Sequence, residues 1–526
     1  MKKQLIFIIA AILVISAVLT SCSFLKKEEV TEAPKEEHVC VAGKWVIASY
    51  PTDTQEGIKQ KVCVECGAVL LEEALASSEG LNYELYQDSM YHVTGIGTCT
   101  DTDVVIPNTY KGLPVSQINS GAFRGYTAIS SVTIGDNVVT IRSNAFRDCT
   151  SLAKVYLPES LAYVEDGAFY NCSFLENVYY DGELLDWLNI NFLGTTANPT
   201  NNGTNLYINN ELLESLVIPD GIVIVPEYSF INCNSLTSLV ISDSVNAINH
   251  YAFADCANLA TVQLGNETMK IGDYAFSNCV KLTEVSVPGN VRTLGNYAFH
   301  KCTSLHTFTF GDKLSTVGEY AFADCTSLRT INIKDSIVKI NNYAFNNCVA
   351  LEYINYDGTA DTWAMINFTH SSSNPMHLNK AKAYFKGELV KNIVINEATV
   401  VNAYAFYKCS SLESVVLGDS VTNIGNYAFQ ACPVLESAKI NCNISYGAFA
   451  DCPYFESIEL GKNVKSIGEW AFSNDKYFDS ITYAGIQSEW NAISKGYGWN
   501  NNISSNLVVN VQPDPVVDPE TPADAE

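Results

Sequence analysis

Apolar positions recur along most of this chain in one short phrase. From Cys325 to Asn347 the sequence is "CTSLRTINIKDSIVKINNYAFNN", with Leu328, Ile331 and Ile333 at the spacing L-x-x-I-x-I. That spacing predicts a short strand with one side turned inward. Ile337 and Ile340 follow as a second inward pair, and Tyr343, Ala344 and Phe345 close the turn before the next cysteine. The phenylalanines keep the register: Phe123, Phe146 and Phe169, then Phe230, Phe253, Phe276, Phe299, Phe322 and Phe345, then Phe406, Phe429, Phe449 and Phe472. They mark thirteen units at a step of 23 residues, with one step of 20 and two of 61. Each step of 61 exceeds two periods by 15 residues and carries an insertion.

One unit has too few apolar residues to bury itself, and units of this kind gain stability by stacking on their neighbours. The predicted fold is a repeat solenoid of mainly short β-strands and turns, in which a fixed place in each coil forms a ladder. A cysteine stands three residues after the phenylalanine in eleven of the thirteen units, Cys149 through Cys452. Asp or Asn precedes it in eight of the eleven, which suits an Asx-type turn. A small thiol fits a narrow inward turn, and eleven equivalent thiols cannot each have a dedicated base. The expectation is a reduced, buried, structural ladder. A tyrosine two residues before the phenylalanine persists from Tyr228 to Tyr427 through eight successive units, and Trp470 ends the series. Two readings stand for it: ring stacking at coil spacing, or an aromatic track for glycan rings.

The phrase L-x-x-V-x-I-P, followed by a second apolar stretch ending I-G-x-x-A-F-x-x-C, resembles the leucine-rich repeats of BspA-like bacterial surface proteins, the Treponema-type class. The resemblance covers roughly residues 81–502. It implies a leucine-rich-repeat solenoid of 23-residue period and a surface associated with adhesion and host or matrix contact. "YHVTGIGTCTDTDVVIPNTYKGLPVSQINSGAF" looks like the capping start of such arrays, so residues 77–122 are expected to be the cap and 123–502 the solenoid. Insertions fall near 180–215, 356–390 and 483–502. "YDGELLDWLNINF", "YDGTADTWAMINF" and the partial copy "YAGIQSEWNAI" are themselves a repeat. Trp187, Trp363 and Trp490 are expected to pin these bulges to the core.

The N-terminal region is built differently. Residues 1–21 have a basic start and an apolar run ending in small residues, the pattern of a secretory signal. "LTSC" resembles the bacterial lipobox, which makes Cys22 the lipidated residue and the lipid the membrane anchor. Residues 22–37 are charged and predict a flexible tether. Residues 38–76 form a small cysteine module, with Cys63 and Cys66 in a C-x-x-C followed by Gly67 and with His38 and Cys40 upstream. This spacing suits a structural zinc site of His38, Cys40, Cys63 and Cys66, in a zinc-ribbon-like module. A Cys63–Cys66 or Cys40-containing disulfide, or free thiols, are the alternatives. The segment resembles small cysteine modules of secreted proteins from anaerobic bacteria, in which a further cysteine stands where this chain has Thr54. Residues 503–526, rich in proline and acid, are expected to be disordered.

A formal charge of −26 argues against nucleic acid as a partner. None of the seven histidines sits in H-E-x-x-H, and neither a G-x-S-x-G elbow nor a phosphate-binding glycine loop occurs. An enzyme is not expected, nor any cofactor beyond structural zinc. The variable strand position offers the ligand-binding candidates Tyr156, Tyr179, Gln263, Ser286, Thr309, Asn332 and Asn355. The reading is an exported, lipid-anchored monomer at the bacterial cell surface or the outer face of the cytoplasmic membrane. Its long surface is expected to bind host proteins, matrix or other cells. The alternative is a glycan-binding lipoprotein assisting nutrient capture.

Overall fold

The computed structural model describes residues 39–515, Asn379 apart. The signal, the tether with Cys22, His38 and the last eleven residues lie outside the described residues. Two compact units divide the described chain: residues 39–44 with 61–71, and residues 45–60 with 72–515. The separate cysteine unit is thus narrower than the expected 38–76. Strands β1 (Ala42–Ser49), β2 (Gly57–Cys63) and β3 (Val69–Leu75) form one three-stranded sheet.

In the larger unit each coil contributes two strands and a turn. Thr330–Ile333 pairs in parallel with Thr307–Thr309 on one side and Tyr353–Tyr356 on the other, with Ile331 opposite Phe308 and Ile354. Ile331 and Ile333 are buried and Thr330 and Asn332 half-buried, the alternation that the L-x-x-I-x-I spacing requires. The second strand, Lys339–Ile340, pairs likewise with Thr316–Val317 and Asn367–Phe368. On the third side the turns make their own ladder. Phe299 N–H donates to Ala321 O at 2.9 Å and Phe322 N–H to Ala344 O at 2.8 Å.

The core is a set of columns. Phenylalanine rings stack along it at 5.1–5.9 Å with planes within 14°. The ladder cysteines are buried beside them. Cys302 Sγ donates to Phe276 O of the preceding coil at 3.2 Å, and Cys149, Cys256 and Cys348 do the same to Phe123, Phe230 and Phe322. Burial pushes the Cys302 thiol up to about 12, so these sulfurs stay protonated donors and poor nucleophiles.

Two places in every coil adopt the left-handed conformation. One precedes the cysteine, as at Asp255 (φ 61°), Asn278 (φ 59°) and Asp324 (φ 61°). Asn and Asp tolerate it, and their side chains link coil to coil: Asn278 Nδ2 donates to Asp255 Oδ1 at 2.9 Å and Asn347 Nδ2 to Asp324 Oδ1 at 2.8 Å. The other is the tyrosine file, with φ between 53° and 62° from Tyr228 to Tyr427. Left-handed backbone costs a residue with a Cβ roughly 1–2 kcal/mol. Ring stacking at 4.5–5.5 Å offsets that cost.

The insertions interrupt both sheets. After Asn177–Tyr180 a helix, Leu184–Asn189, buries Trp187, and the next strand of the face, Asn205–Ile208, is followed by the hairpin partner Glu211–Leu212. Asn209 (φ 47°) and Asn210 (φ 65°) form the turn, the backbone that two-residue hairpins favour. New sheets then begin at Ser215–Ile218 and Ile224–Val225. The second insertion repeats this with Ala360–Ala364, Lys382–Phe385 and Glu388–Leu389. Trp187 Nε1 donates to Ser229 O at 2.9 Å and Trp363 Nε1 to Ala405 O at 2.7 Å.

The third copy extends the array beyond the expected boundary at 502. Val508–Gln512 pairs in parallel with Ser480–Ile486. It is the return strand of the lengthened coil that contains Trp490, so the expected disorder of residues 503–526 does not hold for 508–512.

Candidate binding face and cysteine cluster

The register places the variable strand residues in rows. Ser286, Thr309, Asn332 and Asn355 stand side by side in four successive coils. Asn332 Nδ2 donates to Thr309 Oγ1 at 2.9 Å and Asn355 Nδ2 to Asn332 Oδ1 at 2.8 Å. Gln263 belongs to the preceding sheet, which ends at Thr261–Gln263, while the next sheet begins at Glu284–Ser286. Gln263, Ser286 and Thr309 line a cleft of about 410 Å³ at that break. Gln263, Ser286 and Asn355 are exposed, and Thr309 and Asn332 half-buried. The strand alternation fixes these side chains outward because their neighbours Val285, Phe308, Ile331 and Ile354 are held in the core.

The aromatic candidates behave differently. Tyr156, Tyr179 and Tyr207 occupy one row and stack at 4.6 and 4.7 Å. Tyr179 and Tyr207 are only 7% and 6% exposed, so Tyr179 is not the open contact residue expected from its strand position. The segment before the repeats bonds to residues outside this row. The Tyr50 hydroxyl donates to Asp181, Asn108 N–H donates to Pro51 O at 2.9 Å, and Thr109 Oγ1 donates to Asp53 at 2.7 Å. Burial pushes the Asp181 carboxyl up to about 6, against the opposing effect of the Tyr50 hydroxyl. Nothing periodic in the sequence announces this contact.

The tyrosine file from Tyr228 to Tyr427 is half-buried. Its ring faces, which a sugar ring would need, lie against neighbouring tyrosines. That geometry favours the stacking reading over the glycan track.

In the smaller unit the sulfurs of Cys40, Cys63 and Cys66 lie within 4.8 Å of one another. The Cys40–Cys66 separation is 3.8 Å. A disulfide needs about 2.05 Å, whereas sulfurs bound to one tetrahedral zinc at about 2.3 Å stand roughly 3.8 Å apart. Burial raises the Cys63 thiol, yet the backbone N–H groups of Cys66 and Glu65 outweigh it and bring it down to about 6, while the hydrogen bond with Cys66 raises the Cys40 thiol to about 11. The cluster thus holds a thiolate at Cys63, and a metal would have to displace the proton from Cys40. The donor set fits zinc with three of its four ligands. His38, the expected fourth, lies outside the described residues. No helix among the described residues is long and apolar enough to cross a membrane.

Among solved structures, a leucine-rich repeat protein from Bacteroides ovatus shares 20% identity over 82% of this chain and 98% of its own, with a TM-score of 0.51. A leucine rich cell surface protein from Faecalibacterium prausnitzii shares 21% over 80% and 97%, with a TM-score of 0.33. The T. pallidum leucine rich repeat protein shares 23% over 48% and 90%, with a TM-score of 0.23. No curated protein matches the chain. The model of the BspA type leucine rich repeat region matches residues 98–198, 200–325, 294–383 and 380–502. Most of the chain lies within these matches, and the protein belongs to the BspA-type leucine-rich-repeat family.

Proposed function

We propose that this protein is an adhesin-like surface lipoprotein that binds a protein of the host, the matrix or another cell through its polar strand face. The observation that carries this reading is the row Ser286, Thr309, Asn332 and Asn355, with Gln263 at the adjoining cleft, held rigid over an apolar core. Rigid polar side chains at fixed spacing lose little entropy on binding and set specificity through their hydrogen bonds. The lipid at Cys22, read from the sequence, would hold this face at the membrane through the tether.

One experiment tests both parts. Cells displaying the full chain are assayed for adhesion to a panel of immobilised host matrix proteins. Adhesion to at least one is expected. It should be lost when Gln263, Ser286 and Asn355 are all replaced by arginine, with unchanged melting of the purified protein. Cys22→Ala should shed the protein into the medium with its binding intact. Adhesion unaffected by the arginine substitutions would remove the strand face from the mechanism, and Cys22→Ala protein retained in membranes would remove the lipid.

The cysteine cluster is proposed to hold one structural zinc ion through Cys40, Cys63, Cys66 and His38, resting on the sulfur spacing. Elemental analysis should find about one zinc per chain and much less in Cys66→Ser. Equal metal content in the two proteins would exclude the site.

A further inference from the structure

The three-ring stack on the strand face stops abruptly. Tyr207, Tyr179 and Tyr156 follow one another in register, and the next residue in the row is Thr133. One face of Tyr156 meets Tyr179 at 4.6 Å. On the Thr133 side the row offers no ring, and a cavity of about 320 Å³ opens there, lined by Tyr156, Thr133 and, from the N-terminal strand, Trp45. That volume is at the lower end for small-molecule sites and suits a single ring, not an extended chain.

Polar groups converge on the same space. Ser130 and Ser131 both line it, and their hydroxyls donate to Asp103 Oδ1 at 2.7 and 2.6 Å. Both go to one oxygen, which leaves Oδ2 of this exposed carboxylate with acceptor capacity. Lys59 and Lys154 supply ammonium donors at the rim. Their charges are balanced locally, since Lys59 pairs with Glu73 at 2.9 Å and Lys154 acts on Asp103.

We propose that this cavity is a binding site for one neutral pyranose ring, as a free sugar or the terminal residue of a glycan. A pyranose has an apolar face of C–H groups that lies flat on an aromatic ring, and an edge of hydroxyls that both donate and accept. Tyr156 supplies the platform that completes the stack, and Asp103 with its lysine neighbours supplies edge partners of both kinds. Tyr179 and Tyr207 are buried, so one ring is held here and no track continues along the row. Charge balance at the rim selects a neutral sugar over a uronic acid. The site is separate from the polar row at Gln263 to Asn355, and either can fail without the other.

Saturation-transfer NMR on the full chain tests it, with methyl glycosides of glucose, galactose, mannose and N-acetylglucosamine as probes and methyl glucuronide as the charged arm. At least one neutral glycoside should receive saturation at tens of millimolar. Thr133→Tyr places in the cavity the ring that the row already accommodates at Tyr156, and should abolish the signal with unchanged melting. Tyr156→Val, which borrows the residue found at Val240, should weaken binding roughly tenfold. No saturation from any neutral glycoside, a signal from the glucuronide alone, or a signal that survives Thr133→Tyr would each overturn the proposal.

Discussion

Trp363→Ala is expected to split the unfolding of this protein into separate transitions. In an array of stacked coils, cooperativity passes from neighbour to neighbour through their shared interface. Over most of this array that interface includes two sheets and the turn ladder. At the second insertion both sheets end, with Lys382–Phe385 and its hairpin on one side and Asn367–Phe368 on the other. They restart at Asn392–Ile395 and Val400–Val401. Side chains carry much of the junction. Trp363 is fully buried, Asn374 Nδ2 reaches Tyr404 O at 2.7 Å, and Asp361 Oδ1 accepts from Glu397 and Ala398 N–H at 2.7 and 2.9 Å. Removing a buried tryptophan costs about 3–5 kcal/mol, all of it at this interface. Ala405 O keeps Asn374 Nδ2 as a donor at 2.8 Å, so the loss is mainly packing. Denaturant melts followed by circular dichroism should show one transition in the wild type and two in Trp363→Ala. Trp490→Ala, in the final lengthened coil, should lower only a terminal fraction of the signal. A single transition of unchanged midpoint in Trp363→Ala would mean that the junction does not depend on this side chain.

The same junctions show what a sequence of this kind discloses. Phenylalanine spacing reports the coil, because a ring at every twenty-third position stacks on the rings above and below it. Repeated Y-D-G, tryptophan and I-N-F report the insertions for a similar reason. The left-handed backbone of the tyrosine file was hidden because tyrosine is a poor guide to that conformation. The same column holds Asn144, Gly167 and Gly447, all at positive φ, and those residues were the available signal. The docking of the segment before the repeats had no signal at all. It includes Tyr50 meeting Asp181, 131 residues away, and a contact made once leaves no period to read. The strand-face candidates divide accordingly: repeat register turned Gln263, Ser286 and Asn355 outward, but did not reveal that Tyr179 is buried within the aromatic row.

Asp475→Cys is expected to stabilise the C-terminal coils and to remove a pH dependence from them. Asp475 occupies the ladder-cysteine position, three residues after Phe472, and is fully buried. Its Oδ1 accepts from Cys452 N–H at 2.7 Å, while Oδ2 is buried without a partner. Burial, reinforced by Cys452, pushes the carboxyl up to about 11, so it is a neutral acid in the fold at pH 7 and a carboxylate in the unfolded chain, where its pKa is about 3.9. Between those values the folded state binds one more proton than the unfolded state. Stability from this group is therefore full below about pH 4 and is lost as pH rises, by about 1.4 kcal/mol per unit, or roughly 4 kcal/mol by pH 7. A cysteine has no such penalty. Its thiol would face Phe449 O across the 26-residue interval at which Cys302 meets Phe276 O, and Cys452 N–H could return to Phe449 O as Cys325 N–H bonds Phe322 O at 3.1 Å. Hydrogen exchange over residues 452–478 at pH 5 and pH 8, corrected for intrinsic rates, reads this directly. Protection of the wild type should fall sharply between the two, and that of Asp475→Cys should be higher and nearly flat. Equal pH dependence in the two proteins would show that the carboxyl finds water or an ion in solution and is not held as a buried acid.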